Sequence, residues 1–103
     1  MSIGIFDYAL RNGLQIKFGK TLPSVDERWY ATLDTKGDKL VEYKNGPSDP
    51  VLTTAVDFGS SKLDAVNKLC KTLRGKLLVV QDYGGLNRVE QRVPTNLQYA
   101  TSL

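Results

Sequence analysis

Residues 58–80, FGSSKLDAVNKLCKTLRGKLLVV, carry a helix start, a helix, a stop and a following strand in one uninterrupted stretch, and they constrain the fold more than any other part of the sequence. Ser61 stands three residues before Asp64. At that spacing a hydroxyl accepts from a first-turn amide while the carboxylate reaches back towards the cap. Leu63, Val66, Leu69, Cys70 and Leu73 recur at steps of three and four, which predicts one apolar helix stripe with Asp64, Asn67, Lys68 and Lys71 opposite. Gly75 after Arg74 suits the left-handed turn that closes a helix, and Lys71, Arg74 and Lys76 suit its negative end. Leu77, Leu78, Val79 and Val80 then make an apolar run too short for another helix, as expected of a strand covered on both faces.

The rest of the chain adds strands and one more short helix. Ile5, Phe6, Ala9 and Leu10 have helical spacing, and Asn12-Gly13 supplies a stop; the same dipeptide also suits a hairpin, and the helix is the preferred reading. Leu14, Ile16 and Phe18 alternate with Gln15 and Lys17 in a first strand, and residues 21–26, with Pro23, read as a loop. Trp29, Ala31 and Leu33 define a second strand, and the turn formers at 34–38 predict a hairpin to a third strand at 39–44. Residues 45–50 are a turn-rich surface loop. Residues 51–58 are a strand with Leu52, Thr54, Val56 and Phe58 on one side. After Val80, a turn at 83–86 leads to a half-exposed strand with Val89 and Val93, ended by Pro94.

The expected architecture is α+β, in the order α-β-β-β-(β)-α-β-β: an antiparallel sheet of three to five strands against one long helix in the C-terminal half and a short N-terminal helix. Residues 1–94 form the single domain, and 95–103 are expected to be a C-terminal arm or frayed tail. A crossover from the strand at 51–58 through the helix to Leu77 is one arrangement that would set those two strands parallel.

A chain of 103 residues, 41% hydrophobic and 24% charged, suits one modest core. No basic leader and no long apolar run is present, so the expected compartment is the cytoplasm, without membrane contact. The single cysteine, Cys70, falls on the helix stripe and reads as a buried thiol. The chain lacks histidine, the commonest general base near neutral pH and the commonest nitrogen ligand for metals. No Ser or Cys has an identifiable base partner, and the carboxylates stand in or beside turns. The expectation is a non-enzymatic chain with no catalytic residues, metal or cofactor.

The net charge of +3 arises entirely after residue 50: seven basic and seven acidic residues precede that point, and seven basic and four acidic follow it. The candidate binding residues, for a phosphate or an acidic partner, are Lys62, Lys68, Lys71, Arg74, Lys76 and Arg88. A solvated helix face is the plainer explanation for the same charges. Gly59-Ser60-Ser61-Lys62 at a helix start can hold an anion but lacks the spacing of a phosphate-binding P-loop. Tyr30, Tyr43 and Tyr83 with Lys17 or Arg88 are a candidate aromatic and basic platform for nucleic acid, and packing tyrosines are its plainer alternative.

The element order, with GSSKLDAVNKL opening the late helix, resembles the double-stranded RNA-binding domain. In that family a lysine pair and further lysines at this helix face phosphates. Lys62 matches the first lysine and Ala65 the small residue, while Leu63 and Val66 replace further lysines. That resemblance implies a nucleic-acid-binding module. The runs DYALRNGLQIKF, RWYATL, LRGKLLVV and GGLNRVEQRVP, with Tyr8, Trp29, Gly75, Lys76, Arg88, Val93 and Pro94, resemble short proteins encoded in the early regions of bacteriophages. This second resemblance implies a phage accessory protein, in the host cytoplasm, that binds and modulates, most simply inhibits, a host enzyme or antiviral defence complex. Either a monomer or a homodimer is compatible with the sequence.

Overall fold

The computed structural model describes residues 2–21, 28–37, 39–44, 55–82 and 87–103. Its order is α1 (Ile5–Arg11), β1 (Leu14–Lys20), β2 (Trp29–Thr35), β3 (Lys39–Lys44), β4 (Val56–Gly59), α2 (Lys62–Leu73), β5 (Leu77–Asp82) and β6 (Arg88–Arg92). The α+β class and element order are those read from the sequence, and the N-terminal segment is a helix. The strands divide between two antiparallel sheets, ordered β1-β2-β4 and β3-β5-β6. The expected loops at 21–26 and 45–50, Leu52 and Thr54 of the fourth strand and the turn at 83–86 lie outside the described residues, except for Thr21, whose amide donates to the Arg28 carbonyl.

α2 forms as its cap predicts. Ser61 Oγ accepts from the Asp64 amide at 3.1 Å, and Asp64 accepts from the Ser60 amide at 2.9 Å. Ala65, Val66, Leu69, Cys70 and Leu73 are fully buried. Leu63, expected on this stripe, is only half-buried, and Ala65 takes its place because the helix start lies directly on β4. A Cβ on Gly59 would come within 2.5 Å of the Ala65 amide nitrogen, so the close approach requires glycine there. Gly75 closes the helix at φ 75, the left-handed conformation expected of it.

In the first sheet the register pairs Phe18 with Ala31 and Ala31 with Asp57, so Leu14, Ile16, Phe18, Trp29, Ala31 and Leu33 share the face that meets the helices. Val56 and Phe58, which do share a side as expected, stand on the outer face and are exposed. In the second sheet, Val41, Tyr43 and Leu78 join the common core. Leu78 and Val79 are both buried on opposite faces, as their apolar run predicts.

Two expected pairings are replaced. β2 and β3 do not form a hairpin: the buried Thr35 hydroxyl lies 3.0 Å from both the Gly37 and the Lys39 carbonyls, and the Lys36 amide donates to Gly13. All of β3 pairs instead with β5, setting Val41 and Tyr43 beside Val80 and Leu78. β4 and β5 are not parallel neighbours, because α2 carries the chain from one sheet to the other. The β5–β6 hairpin forms in the expected place, with Val89 exposed and Val93 buried just beyond the strand.

Of the two expectations for segment 95–103, an arm or a frayed tail, its contacts are those of an arm packed on the fold. Leu97 is completely buried. Gln98 exchanges backbone hydrogen bonds with the start of the chain, accepting from Ile5 at 3.1 Å and donating to Ile3 at 2.8 Å. α2 binds the same segment through side chains: Asn67 donates to the Ala100 carbonyl at 3.1 Å and accepts from its amide at 2.9 Å, and Arg74 Nε donates to the Leu97 carbonyl at 2.9 Å. Asn67, Cys70 and Arg74 lie at steps of three and four, so one stripe of the helix surface takes this strap. The strap also satisfies the Ile5 amide, one of the donors left open at the start of α1.

Candidate binding cleft

The structure disperses the predicted basic residues. Lys68 pairs with Asp64 at 3.3 Å one turn back along α2. Arg74 is a structural residue: besides bonding the Leu97 carbonyl, it donates to the Tyr99 hydroxyl at 3.3 Å and stacks 4.2 Å from that ring. Arg88 pairs with Glu90 at 2.7 Å. The β6 register puts Arg88 beside Gln81 and Arg92 beside Leu77, so Arg88 lies four residues, roughly 13 Å, from the end of β6 nearest α2. Lys76 is half-buried in the turn, where its carbonyl accepts from the Val93 amide. Lys71 alone stays exposed on the helix with no partner among the described residues. Of the six candidates, Lys68, Arg74 and Arg88 thus have polar partners within the chain.

Lys62 leads elsewhere. As the first residue of α2 it reaches the open end of the first sheet, where its ammonium lies 5.0 Å from the Trp29 ring centroid. Lys20, opposite Trp29 in the β1–β2 register, brings a second ammonium 5.0 Å from the same ring. Beside this cluster lies a cleft of about 390 Å³ lined by Phe6, Phe18, Lys62, Ser102 and Leu103. Its position follows from the fold. α1 presents Phe6 on its solvent side because Ile5, Tyr8 and Ala9 fill its inner side. Phe18 stands near the end of β1, where Phe6 meets it at 6.3 Å between ring centroids in a tilted arrangement. The strap supplies Ser102 and Leu103.

Among the described side chains of the lining, Lys62 is a cation and none is acidic. The cleft's volume falls within the range of about 300–1,000 Å³ typical of ligand sites, and its wall is apolar with a charge at the edge. Such a cleft can receive an apolar group that carries a negative charge near Lys62. The remaining titratable groups point to packing. Burial pushes the Cys70 thiol up, and the strap carbonyls of Leu97 and Gln98 lie 3.5 and 3.4 Å from its Sγ. The amide of Ser60, followed by Lys68, holds the Asp64 carboxyl below the usual carboxylate range. Burial raises Tyr8 to about 12 and raises Tyr43 further, and their hydroxyls have no partner among the described residues. Tyr43 is thus a core residue; Tyr30 lies against Gly19 on the outer face of the first sheet, and Tyr83 is outside the described residues. No three His, Cys, Asp or Glu side chains come together as a metal site among the described residues, and no described helix is long and apolar enough to cross a membrane.

Sequence reasoning had found Lys62 but not Phe6, Phe18, Ser102 and Leu103 as a site. Phe6 and Phe18 each fitted an apolar pattern, so nothing local marked them as lining a cleft.

The fold is α+β, with two three-stranded antiparallel sheets and two helices among the described residues. No known protein family matches the chain, and neither curated proteins nor solved structures give a match.

Proposed function

We propose that this chain is a non-enzymatic binding protein whose cleft takes an apolar, negatively charged segment of another protein. The observation that carries this reading is the open aromatic cleft with Lys62 at its edge. Phe6 and Leu103 are exposed at 38% and 59%, and aromatic residues in such a position are the usual anchors of protein interfaces. The resemblance to bacteriophage early-region proteins supplies the setting of the proposal: a phage accessory protein, in the host cytoplasm, that inhibits a host enzyme or defence complex. Affinity purification from infected cells, with and without nuclease, tests it. The expected result is a host protein recovered equally in both; recovery only without nuclease contradicts it.

A second reading, nucleic-acid binding, is favoured by one observation, the Trp29 ring flanked by Lys20 and Lys62. Aromatic rings beside cations stack bases and meet phosphates. Its signature is an affinity that falls linearly in log salt, with Lys62→Ala reducing the slope by about one unit. The pairing of Lys68, Arg74 and Arg88 within the chain weighs against it.

A further inference from the structure

The outer edge of β6 lies far from the cleft in the fold, on the second sheet. Among the described residues, β6 pairs with β5 on one side and with no strand on the other. The Asp82 amide donates to the Asn87 carbonyl at 3.0 Å and the Val93 amide to the Lys76 carbonyl at 2.8 Å. By the alternation of an antiparallel ladder, Asn87, Val89, Gln91 and Val93 turn their peptide groups towards β5. Arg88 and Glu90 turn theirs outward. Arg88, Val89 and Glu90 are all exposed, with Val89 at 58%. An open row of peptide groups on a strand is a template for another strand.

We propose that this edge pairs antiparallel with β6 of a second copy, about a two-fold axis at Val89. The outward-facing residues must meet outward-facing residues, and charge selects among the possible registers. An axis at Glu90 sets Glu90 against Glu90 and Arg88 against Arg92, placing like charges together. An axis at Val89 sets Arg88 against Glu90 twice, each pair exchanging both of its backbone hydrogen bonds, and brings Val89 against Val89 in the close non-hydrogen-bonded position. Arg88 and Glu90 already attract each other within one strand at 2.7 Å, so in the dimer the same four charges form a compact alternating group. The two second sheets join into one continuous six-stranded antiparallel sheet. The partner this edge fits is therefore another copy of this chain: its charge order is complementary to itself about Val89, whereas the other opposite-charge register, about Gln91 with Glu90 against Arg92, sets Arg88 against Pro94, which has no N–H to donate.

Sedimentation equilibrium on the full chain tests the pairing, using wild type, Arg88→Glu, Glu90→Arg and the double variant carrying both. All of these positions are exposed, and circular dichroism melting checks that each variant folds. The wild type is expected to dimerise with rising concentration. Each single variant puts like charges opposite one another at two places and is expected to weaken the dimer at least about tenfold, while the double variant, which restores opposite charges in this register, returns to within about threefold of the wild type. A wild type that stays monomeric at about 1 mM, single variants that associate as well as the wild type, or a double variant no better than the singles would each overturn the proposal.

Discussion

Asn67 illustrates how a single polar side chain fixes a segment that has no strong pattern of its own. Its amide group meets both the carbonyl and the amide of Ala100, so two peptide groups of the strap are satisfied at once. Asn67→Ala should therefore cost about 1–3 kcal/mol in urea unfolding, whereas Lys71→Ala, on the exposed side, should leave stability within about 0.5 kcal/mol. The sequence placed Asn67 on the wet face of α2, since a period of 3.6 separates apolar from polar positions but does not tell which polar side chain a later segment will cover. Tyr8 supplies a pH prediction. Its folded pKa, about 12, lies above the ordinary value of 10.0 because the ring is buried. Between these values the unfolded chain holds fewer protons than the folded one, so stability present below pH 10 is lost as pH rises towards 12. At roughly 1.4 kcal/mol per unit this is about 2–3 kcal/mol from Tyr8, and Tyr43 acts in the same direction. Tyr8→Phe is expected to reduce the fall in the urea midpoint between about pH 9 and pH 11.5.

Elements were legible where their signals are local. α2 was readable because cap, stripe and stop are all encoded within about fifteen residues, and each has its counterpart in the structure at Ser61, Leu69 and Gly75. The partners of β3 were not readable, because turn formers at 34–38 describe a change of direction but not which ladder follows it. That choice depends on Val41 and Tyr43 finding Val80 and Leu78 nearly forty residues further on. The strap was missed for a related reason. Leu97 lacks periodic apolar neighbours, and its burial rests on Asn67, Cys70, Arg74 and Ile5. Leu97→Ala should cost about 2–5 kcal/mol, the same range as Leu69→Ala in α2, as read from the midpoints of denaturant unfolding. A free tail would lose nothing on that substitution, so the pair of measurements separates a packed strap from a frayed end.

At the scale of the whole molecule, the placement of charge decides how the protein meets a partner. The basic excess after residue 50 suggested a surface for a phosphate or an acidic partner, or simply a solvated helix face; in the fold Lys68 joins an ion pair on α2, Arg74 holds the strap, Lys76 stands in the turn and Arg88 pairs on β6. Only Lys62 is delivered to a concave apolar site, and it arrives there because α2 begins where the first sheet opens. Such convergence of α1, β1, α2 and the strap is a tertiary property with no counterpart in local spacing. The proposed function uses the cleft, rather than the basic side of α2, to bind another protein, and it is tested by quantitative capture of host protein from infected cells, after nuclease treatment, by wild type, Phe6→Glu and Lys71→Glu. Wild type and Lys71→Glu are expected to recover the same protein in equal amount, and Phe6→Glu to recover less than about a tenth of it, as for loss of an interface anchor. Capture retained by Phe6→Glu and lost with Lys71→Glu would contradict the claim.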